Sequence, residues 1–309
     1  MKVIITGGTG LIGSALIQHL SPDIFEITIL SRSKKGSSKD FPHVEYTLWD
    51  PDQDGPWIEK VAQSNAVINL AGENIAGKNF FPARWTQEKK DRIINSRVKS
   101  GKAVSRAIEN SAAKPNLLIQ ASAIGYYPFQ TDDKIQTEIS PAGSDFLSEV
   151  SLAWENSTQE VESLGVRRAV IRIGIVLSRE SGALPRLILP HNLFVGGPFG
   201  SGEQWYSWIH LTDLCKAIKF LLLSDTENSV FNFTAPEPVS NKDFSKILGG
   251  VLSRPSWLPV PGFAMRMLFG EVSDVVLKGQ RVIPKNLLDS GYTFQFPDLK
   301  SALLDFFNP

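Results

Sequence analysis

Val3-Ile4-Ile5-Thr6-Gly7-Gly8-Thr9-Gly10-Leu11-Ile12-Gly13 is the stretch on which the fold of this chain turns. Three branched apolar residues in a row predict a short strand buried on both faces, and the glycines after them predict a turn clear of side chains. Beyond Gly13, Ala15, Leu16 and Leu20 share one helical face until Ser21-Pro22 ends the pattern. Strand, glycine turn and helix in that order aim the free amides of the helix start at the turn, where they suit the pyrophosphate of a dinucleotide. The spacing is GxxGxxG and not GxGxxG, so the motif is weak alone and its setting carries the reading.

The end of the next strand meets the adenosine ribose in this arrangement. That strand, Ile27-Thr28-Ile29-Leu30, runs into Ser31-Arg32 with Lys34 and Lys35 behind, and no carboxylate stands where a free 2′-hydroxyl would be bonded. Arg32 can pair with a 2′-phosphate through its planar donors and Ser31 can add a hydroxyl, which favours NADP(H) as cofactor. The bland alternative for Arg32 to Lys35 is a solvated loop.

Bulk composition excludes some classes of function. Thirty-two basic residues balance thirty-two acidic ones in 309, so no field favours nucleic acid or an anionic membrane, and a small-molecule substrate must be recognised locally. The single cysteine, Cys215, rules out an internal disulfide, and no Cys/His cluster has metal-ligand spacing. No apolar run approaches the roughly 18 residues of a membrane helix and the first strand begins at Lys2, so a cytoplasmic location is expected.

Strand-like runs recur at Val44–Leu48, Ala66–Leu70, Leu117–Ala121 and Arg168–Leu177, with helix-like segments at Thr86–Ala112 and Phe146–Leu164 between them. Such alternation predicts an α/β fold, a doubly wound parallel Rossmann sheet whose carboxyl edge gathers the loops at Gly7, Ser31, Leu70, Ser122 and Gly174. After Gly174 glycine and proline break the pattern. Residues 1–174 are therefore expected to form the NADP-binding domain, with 208–235 returning to its sheet, and 175–207 and 236–309 a smaller, discontinuous substrate-binding lobe.

With these motifs in order, the chain resembles the extended branch of the short-chain dehydrogenase/reductase superfamily from end to end. More narrowly it resembles the atypical YfcH-like, or TIGR-type, NAD-dependent epimerase/dehydratase proteins. The resemblance rests on Asn69-Leu70-Ala71-Gly72-Glu73-Asn74-Ile75, Arg84-Trp85, Ser96-Arg97, Gly196-Gly197-Pro198, Trp208-Ile209-His210 and a carboxyl-terminal block from Val260-Pro261-Gly262-Phe263 through Leu277–Pro284 to Pro297-Asp298-Leu299. It implies that Gly7, Thr9, Gly10, Leu11 and Ile12 form the pyrophosphate turn, that Ser31 and Arg32 meet the 2′-phosphate, and that Leu70, Ala71 and Gly72 lie along the cofactor. Arg97 takes the place of a cofactor-side asparagine, from which a guanidinium could reach a phosphate or ribose. Gly174 matches the turn beside the nicotinamide. A homodimer through the two long helices is common in the superfamily.

Superfamily chemistry needs a tyrosine acid or base, a lysine four residues on to lower its pKa, and a serine or threonine on the reacting oxygen. Ala121-Ser122-Ala123-Ile124-Gly125-Tyr126 matches the serine segment and makes Ser122 the catalytic serine, against the alternative of a buried turn hydroxyl. With the family's helix glutamate set at Glu155, the tyrosine position falls on Leu147 and the lysine position on Ser151. Neither can do that work. Tyr126 is a candidate substitute acid, against the alternative that it and Tyr127 form part of a substrate wall; Glu73, Asn74 and His210 are further candidates, and Trp205, Tyr206 and Trp208 either wall the substrate pocket or fill the seam between lobes. Two functions stay open: an NADP(H)-dependent oxidoreductase or epimerase on a small carbonyl or alcohol, and an NADPH-binding sensor or interaction module of reduced catalytic power.

Overall fold

The computed structural model of the protein describes residues 1–33, 43–77, 83–129 and 132–307. The first half of the chain runs β1 (Lys2–Thr6), α1 (Leu11–His19), β2 (Glu26–Ser31), β3 (Val44–Leu48), α2 (Trp57–Ala62), β4 (Ala66–Asn69), α3 (Gln87–Asn110), β5 (Leu117–Ala123), β6 (Ile135–Gln136) and α4 (Phe146–Asn156). The second half follows as β7 (Arg167–Ile173), β8 (Ile175–Leu177), α5 (Leu184–Asn192), β9 (Trp205–Tyr206), β10 (Trp208–His210), α6 (Leu211–Leu223), β11 (Val230–Phe233) and β12 (Val239–Ser240). It closes with α7 (Asn241–Leu252), α8 (Gly262–Phe269), α9 (Asp274–Leu277), β13 (Arg281–Val282), α10 (Lys285–Asp289) and α11 (Leu299–Phe307).

Seven strands form one sheet in the order β11-β7-β5-β4-β1-β2-β3, and every pairing in it is parallel. The apolar run of β1 explains the two faces. Val3 and Ile5 pack with Leu16 and Ile17 of α1 and with Leu214 and Ile218 of α6, whereas Ile4 points the other way, toward Val104 and Ile108 of α3. Alternate residues of one strand thus bury against helices on both sides, which makes the sheet doubly wound.

Two elements differ from the sequence expectation. The run Arg168–Leu177 breaks at Gly174, where β8 leaves the large sheet to pair with β10, so Trp208–His210 does not return to the seven-stranded sheet, while β11 does. Gly174 permits the close approach at the break, since a Cβ there would strike the Ser207 carbonyl and stand 2.9 Å from Thr234 Cγ2. The helical pattern from Phe146 ends as α-helix at Asn156 and continues as a tighter 3-10 segment over Gln159–Leu164.

Strands β8, β9 and β10 and helices α5, α7 and α11 contribute to a separate core that joins Leu177, Leu184, Tyr206, Trp208, Phe244, Leu248 and Leu303. Asp213 of α6 ties this region down, accepting the backbone N–H of Gln295 and of Phe296 at 2.8 Å each. No helix among the described residues is long and apolar enough to cross a membrane.

Candidate active site

Strands β1 and β4 are neighbours at the centre of the sheet, where the direction of winding reverses and a crevice opens over the carboxyl ends. The loops after them touch. Gly7 has φ +69°, and a Cβ on it would lie 2.8 Å from the Leu70 carbonyl carbon. A Cβ on Gly13 would lie 2.5 Å from Gly8 Cα, so helix α1 rests directly on the turn. Gly10 caps α1 in an extended conformation and no side chain bonds there, which leaves the first amides of the helix for an outside acceptor. Thr9 and Gly10 are exposed, Leu11 and Ile12 half-buried, and Leu70 and Ala71 half-buried beside the exposed Gly72.

Beneath this crevice lies a polar ladder that the sequence reading missed. Thr6, Asn69 and Gln120 stand in register on β1, β4 and β5. Thr6 Oγ1 donates to Asn69 Oδ1 (2.6 Å), Ser100 Oγ donates to the same oxygen (2.7 Å), and Asn69 Nδ2 donates to Gln120 Oε1 (2.9 Å). The Ala71 N–H reaches Thr6 Oγ1 at 3.3 Å, so the ladder fixes the loop that crosses the crevice. Thr6 and Asn69 ending two apolar strands, and Gln120 inside a third, were the available signal.

At the edge of the crevice Ser31 Oγ donates to the Ser33 carbonyl (2.9 Å). Arg32 beside it is exposed, and among the described residues it has no hydrogen-bonding or ionic partner. Lys34 and Lys35 lie outside the described residues. Arg97 projects from α3 under the loop after β4, where its Nη1 donates to the carbonyls of Glu73 and Ile93 (3.0 Å each) and its guanidinium stacks on Trp154, 4.7 Å from the ring. Its Nε is buried without a partner among the described residues, and burial lowers its pKa to about 10. Glu73 pairs with Lys89 at 2.5 Å, and that bond holds its carboxyl below the ordinary range.

The serine and tyrosines meet a buried ion pair. Arg172 of β7 grips Glu155 of α4 with two donors, Nε to Oε1 at 2.9 Å and Nη2 to Oε2 at 3.0 Å. Ser122 Oγ donates to Glu155 Oε1 at 2.6 Å, so its proton is committed. The two tyrosines separate here. Tyr127 is buried, donates to Asn232 Oδ1 (2.7 Å) and accepts from Arg172 (3.0 Å), and burial pushes its pKa up to about 12. Tyr126 is half-buried and lies face-on to Arg172, whose guanidinium carbon is 3.3 Å from the ring centre. Its hydroxyl has no hydrogen-bond partner among the described residues. Leu147 and Ser151 face the same turn: a Cβ on Gly125 would lie 3.1 Å from Leu147 Cβ and 3.7 Å from Ser151 Oγ. Ser151 spends its proton on the Leu147 carbonyl (2.9 Å).

His210 stands apart from this cluster. It caps α6 by accepting the Thr212 N–H on Nδ1 (3.1 Å) and is stacked between Phe296 and Phe306, 4.1 and 4.4 Å away. Burial lowers its pKa to about 4 despite Asp305 nearby, so it serves as a neutral cap. Trp208 is wholly buried and its indole N–H bonds the Glu237 carbonyl (3.1 Å), which places it in the seam. Trp205 stacks with Arg281. Tyr206 alone of the three aromatics lines a cavity, of about 330 Å³, enclosed by α5, α8 and the segment 270–276 and bounded on its inner side by Ile75 and Ile175.

The family model described as the NAD dependent epimerase/dehydratase family matches residues 3–233. The chain belongs to this family. A second model, described as a domain of unknown function, matches residues 260–306. The epimerase family protein SDR39U1 homolog of Arabidopsis thaliana, a chloroplastic protein, is 41% identical over 305 residues, covering 98% of this chain and 86% of that one. The epimerase family protein YfhF of Bacillus subtilis is 37% identical over 308 residues, covering 98% and 97%. A crystal structure of human epimerase family protein SDR39U1 with NADPH superimposes with a TM-score of 0.86 at 31% identity, covering 99% of each chain. The fold of this family member is that of the extended short-chain dehydrogenases/reductases.

Proposed function

We propose that the chain binds NADP(H) over the β1–β4 crevice and acts as an oxidoreductase or epimerase on a small carbonyl or alcohol. The observation that carries the reading is the turn at Gly7 to Gly13, where close backbone contacts leave no room for Cβ atoms and the start of α1 is uncapped. Gly7, Thr9, Gly10, Leu11 and Ile12 would hold the pyrophosphate and Ser31 and Arg32 the 2′-phosphate, while Leu70, Ala71 and Gly72 would lie along the cofactor and Gly174 beside the nicotinamide. Arg97 shapes the Gly72 loop from below. The NADPH bound to the human relative supports this assignment. Residues 1–174 with 211–235 form the cofactor domain in this reading, and 175–210 with 236–309 the substrate lobe.

A nicotinamide bound there would supply or accept a hydride, which leaves the chain's own residues to move one proton. Leu147 and Ser151 occupy the family's tyrosine and lysine positions and cannot do so. Tyr126 is the remaining acid: its hydroxyl has no hydrogen-bond partner among the described residues, and its ring is held face-on against Arg172. Ser122, its proton given to Glu155, holds the Glu155–Arg172 pair in place and can accept a hydrogen bond without being able to polarise a carbonyl.

NADPH oxidation against a panel of aldehydes and ketones tests the reading. Turnover that falls at least 100-fold in Tyr126→Phe, with NADPH affinity unchanged, is the expected result. The committed Ser122 proton favours a second reading, a binding module without turnover, and no NADPH consumption on any panel member would select it. Arg32→Ala should weaken NADPH about tenfold and leave NADH unchanged, since one charge-assisted contact contributes roughly 1.5–3 kcal/mol. Equal affinity for NADPH in that variant and the parent removes the 2′-phosphate assignment.

A further inference from the structure

We infer that the cavity beneath α8 receives an apolar molecule, an alkyl or ring body ending in a carbonyl or hydroxyl, and that it excludes nucleotide sugars. The placement of the reacting end rests on the cofactor reading above; the apolar character does not. Leu187, Phe199, Val260, Met265, Phe269 and Val276 represent its wall, and Arg186 is its only charged lining residue among the described residues. The two hydroxyls in the lining already serve main-chain carbonyls, Tyr206 that of Val276 (3.1 Å) and Ser273 that of Gly270 (2.6 Å). A nucleoside diphosphate brings at least two charges and several sugar hydroxyls, each of which loses its water on entry and needs a donor or acceptor in return. This wall does not provide them. A volume of about 330 Å³ sits at the small end of ligand pockets, about 300–1,000 Å³, and suits a molecule without a nucleotide.

The position of the cavity links it to the crevice. Ile175 follows Gly174 at the end of β7, and Ile75 lies on the segment that continues from Leu70-Ala71-Gly72. A ligand filling the cavity therefore presents its inner end at the carboxyl edge of the sheet. The outer wall is α8, which buries none of its residues fully and is held at its end by Arg84, which donates to the carbonyls of Met267 and Leu268. Met265 and Phe269 of α8 face the cavity, while Phe263, Met267 and Leu268 are 71%, 68% and 65% exposed. An apolar ligand thus meets apolar surface outside the cavity as well as within it.

Calorimetric titration of a series from 2-butanone to 2-undecanone, with and without NADPH, tests the inference. Each added methylene should tighten binding about fourfold until the cavity is full, from roughly 0.8 kcal/mol per buried methylene, and the trend should persist without NADPH. UDP-glucose should neither bind at millimolar concentration nor displace 2-undecanone. Ala183→Phe should end the trend at least two methylenes earlier, and Val276→Phe, another lining residue, provides the same test where the first variant does not fold. A flat series, tight binding of UDP-glucose, or an unchanged endpoint in a folded variant overturns the inference. A chain-length trend in protein that does not bind NADPH leaves it standing and removes the cofactor reading instead.

Discussion

Around Gly7 and Gly13 the protein sets backbone against backbone at 2.5 to 3.0 Å from where Cβ atoms would stand, whereas around the cavity beneath α8 it sets apolar side chains against empty space. The two surfaces adjoin at the carboxyl edge of the sheet and differ in what they tolerate. Main chain cannot yield to an added methyl group, because the atoms it meets are fixed by sheet and helix hydrogen bonds. A wall of Leu, Val, Met and Phe can repack around changes of similar volume. One ligand region is rigid by construction and the other is adjustable, as expected where a fixed cofactor meets a variable substrate.

The largest expected effect breaks this contrast if it fails to appear. Gly13→Ala drives a methyl group into Gly8 Cα and the Gly7 carbonyl, and NADPH affinity, followed by fluorescence titration, should fall at least 100-fold, about 3 kcal/mol. Binding within tenfold of the parent would show the turn to be as pliant as the cavity. Next comes the buried pair beneath the crevice. Glu155→Gln leaves the Arg172 guanidinium buried without a counter-charge, and denaturant unfolding should show a loss of about 3 kcal/mol. Combining Glu155→Leu with Arg172→Met should restore much of that loss, which would mark the pair as a device for geometry and not for net stability.

A smaller effect follows pH. His210 has its folded pKa lowered to about 4 by burial, with Asp305 and Asp213 opposing and His19 assisting, against about 6.5 in the unfolded chain. Between those values the unfolded chain binds a proton that the folded one refuses. Stability contributed by the neutral ring is therefore complete above about pH 6.5, falls as the solution is acidified, and levels off below about pH 4. His210→Asn keeps an acceptor for the Thr212 N–H and should flatten the stability change between pH 7 and pH 5 by about 2 kcal/mol. An identical slope in both proteins would count against this assignment. Least of all, Phe269→Leu in the cavity wall should cost under about 1.5 kcal/mol and leave NADPH affinity unchanged, while a change in that affinity would show the two regions to be coupled.

Some of this was legible in single residues and some was not. The parallel sheet was visible because strands buried on both faces repeat as apolar runs, and the glycine turn between β1 and α1 because glycine spacing is a local property. Trp208-Ile209-His210 misled: a short apolar run announces a strand but not its partner, and Gly174 diverts β8 so that β10 pairs outside the large sheet. Arg172 passed unremarked inside an apolar strand because its partner Glu155 is 17 residues away in sequence and on another element. Tyr126 and Tyr127 look alike as adjacent letters. They differ because Tyr127 is buried with its hydroxyl on Asn232, while Tyr126 is half-buried with its ring against Arg172.

By itself the sequence determined the class of fold and the place of the glycine turn, because periodicity and missing side chains are written residue by residue. Tertiary structure alone decided that Thr6, Asn69 and Gln120 form one ladder, that Ser122 gives its proton to Glu155, that His210 is a neutral cap, and that an apolar cavity adjoins the crevice. Each of these depends on register between strands or on the approach of segments distant in the chain, and the pattern of one segment does not encode the distance to another.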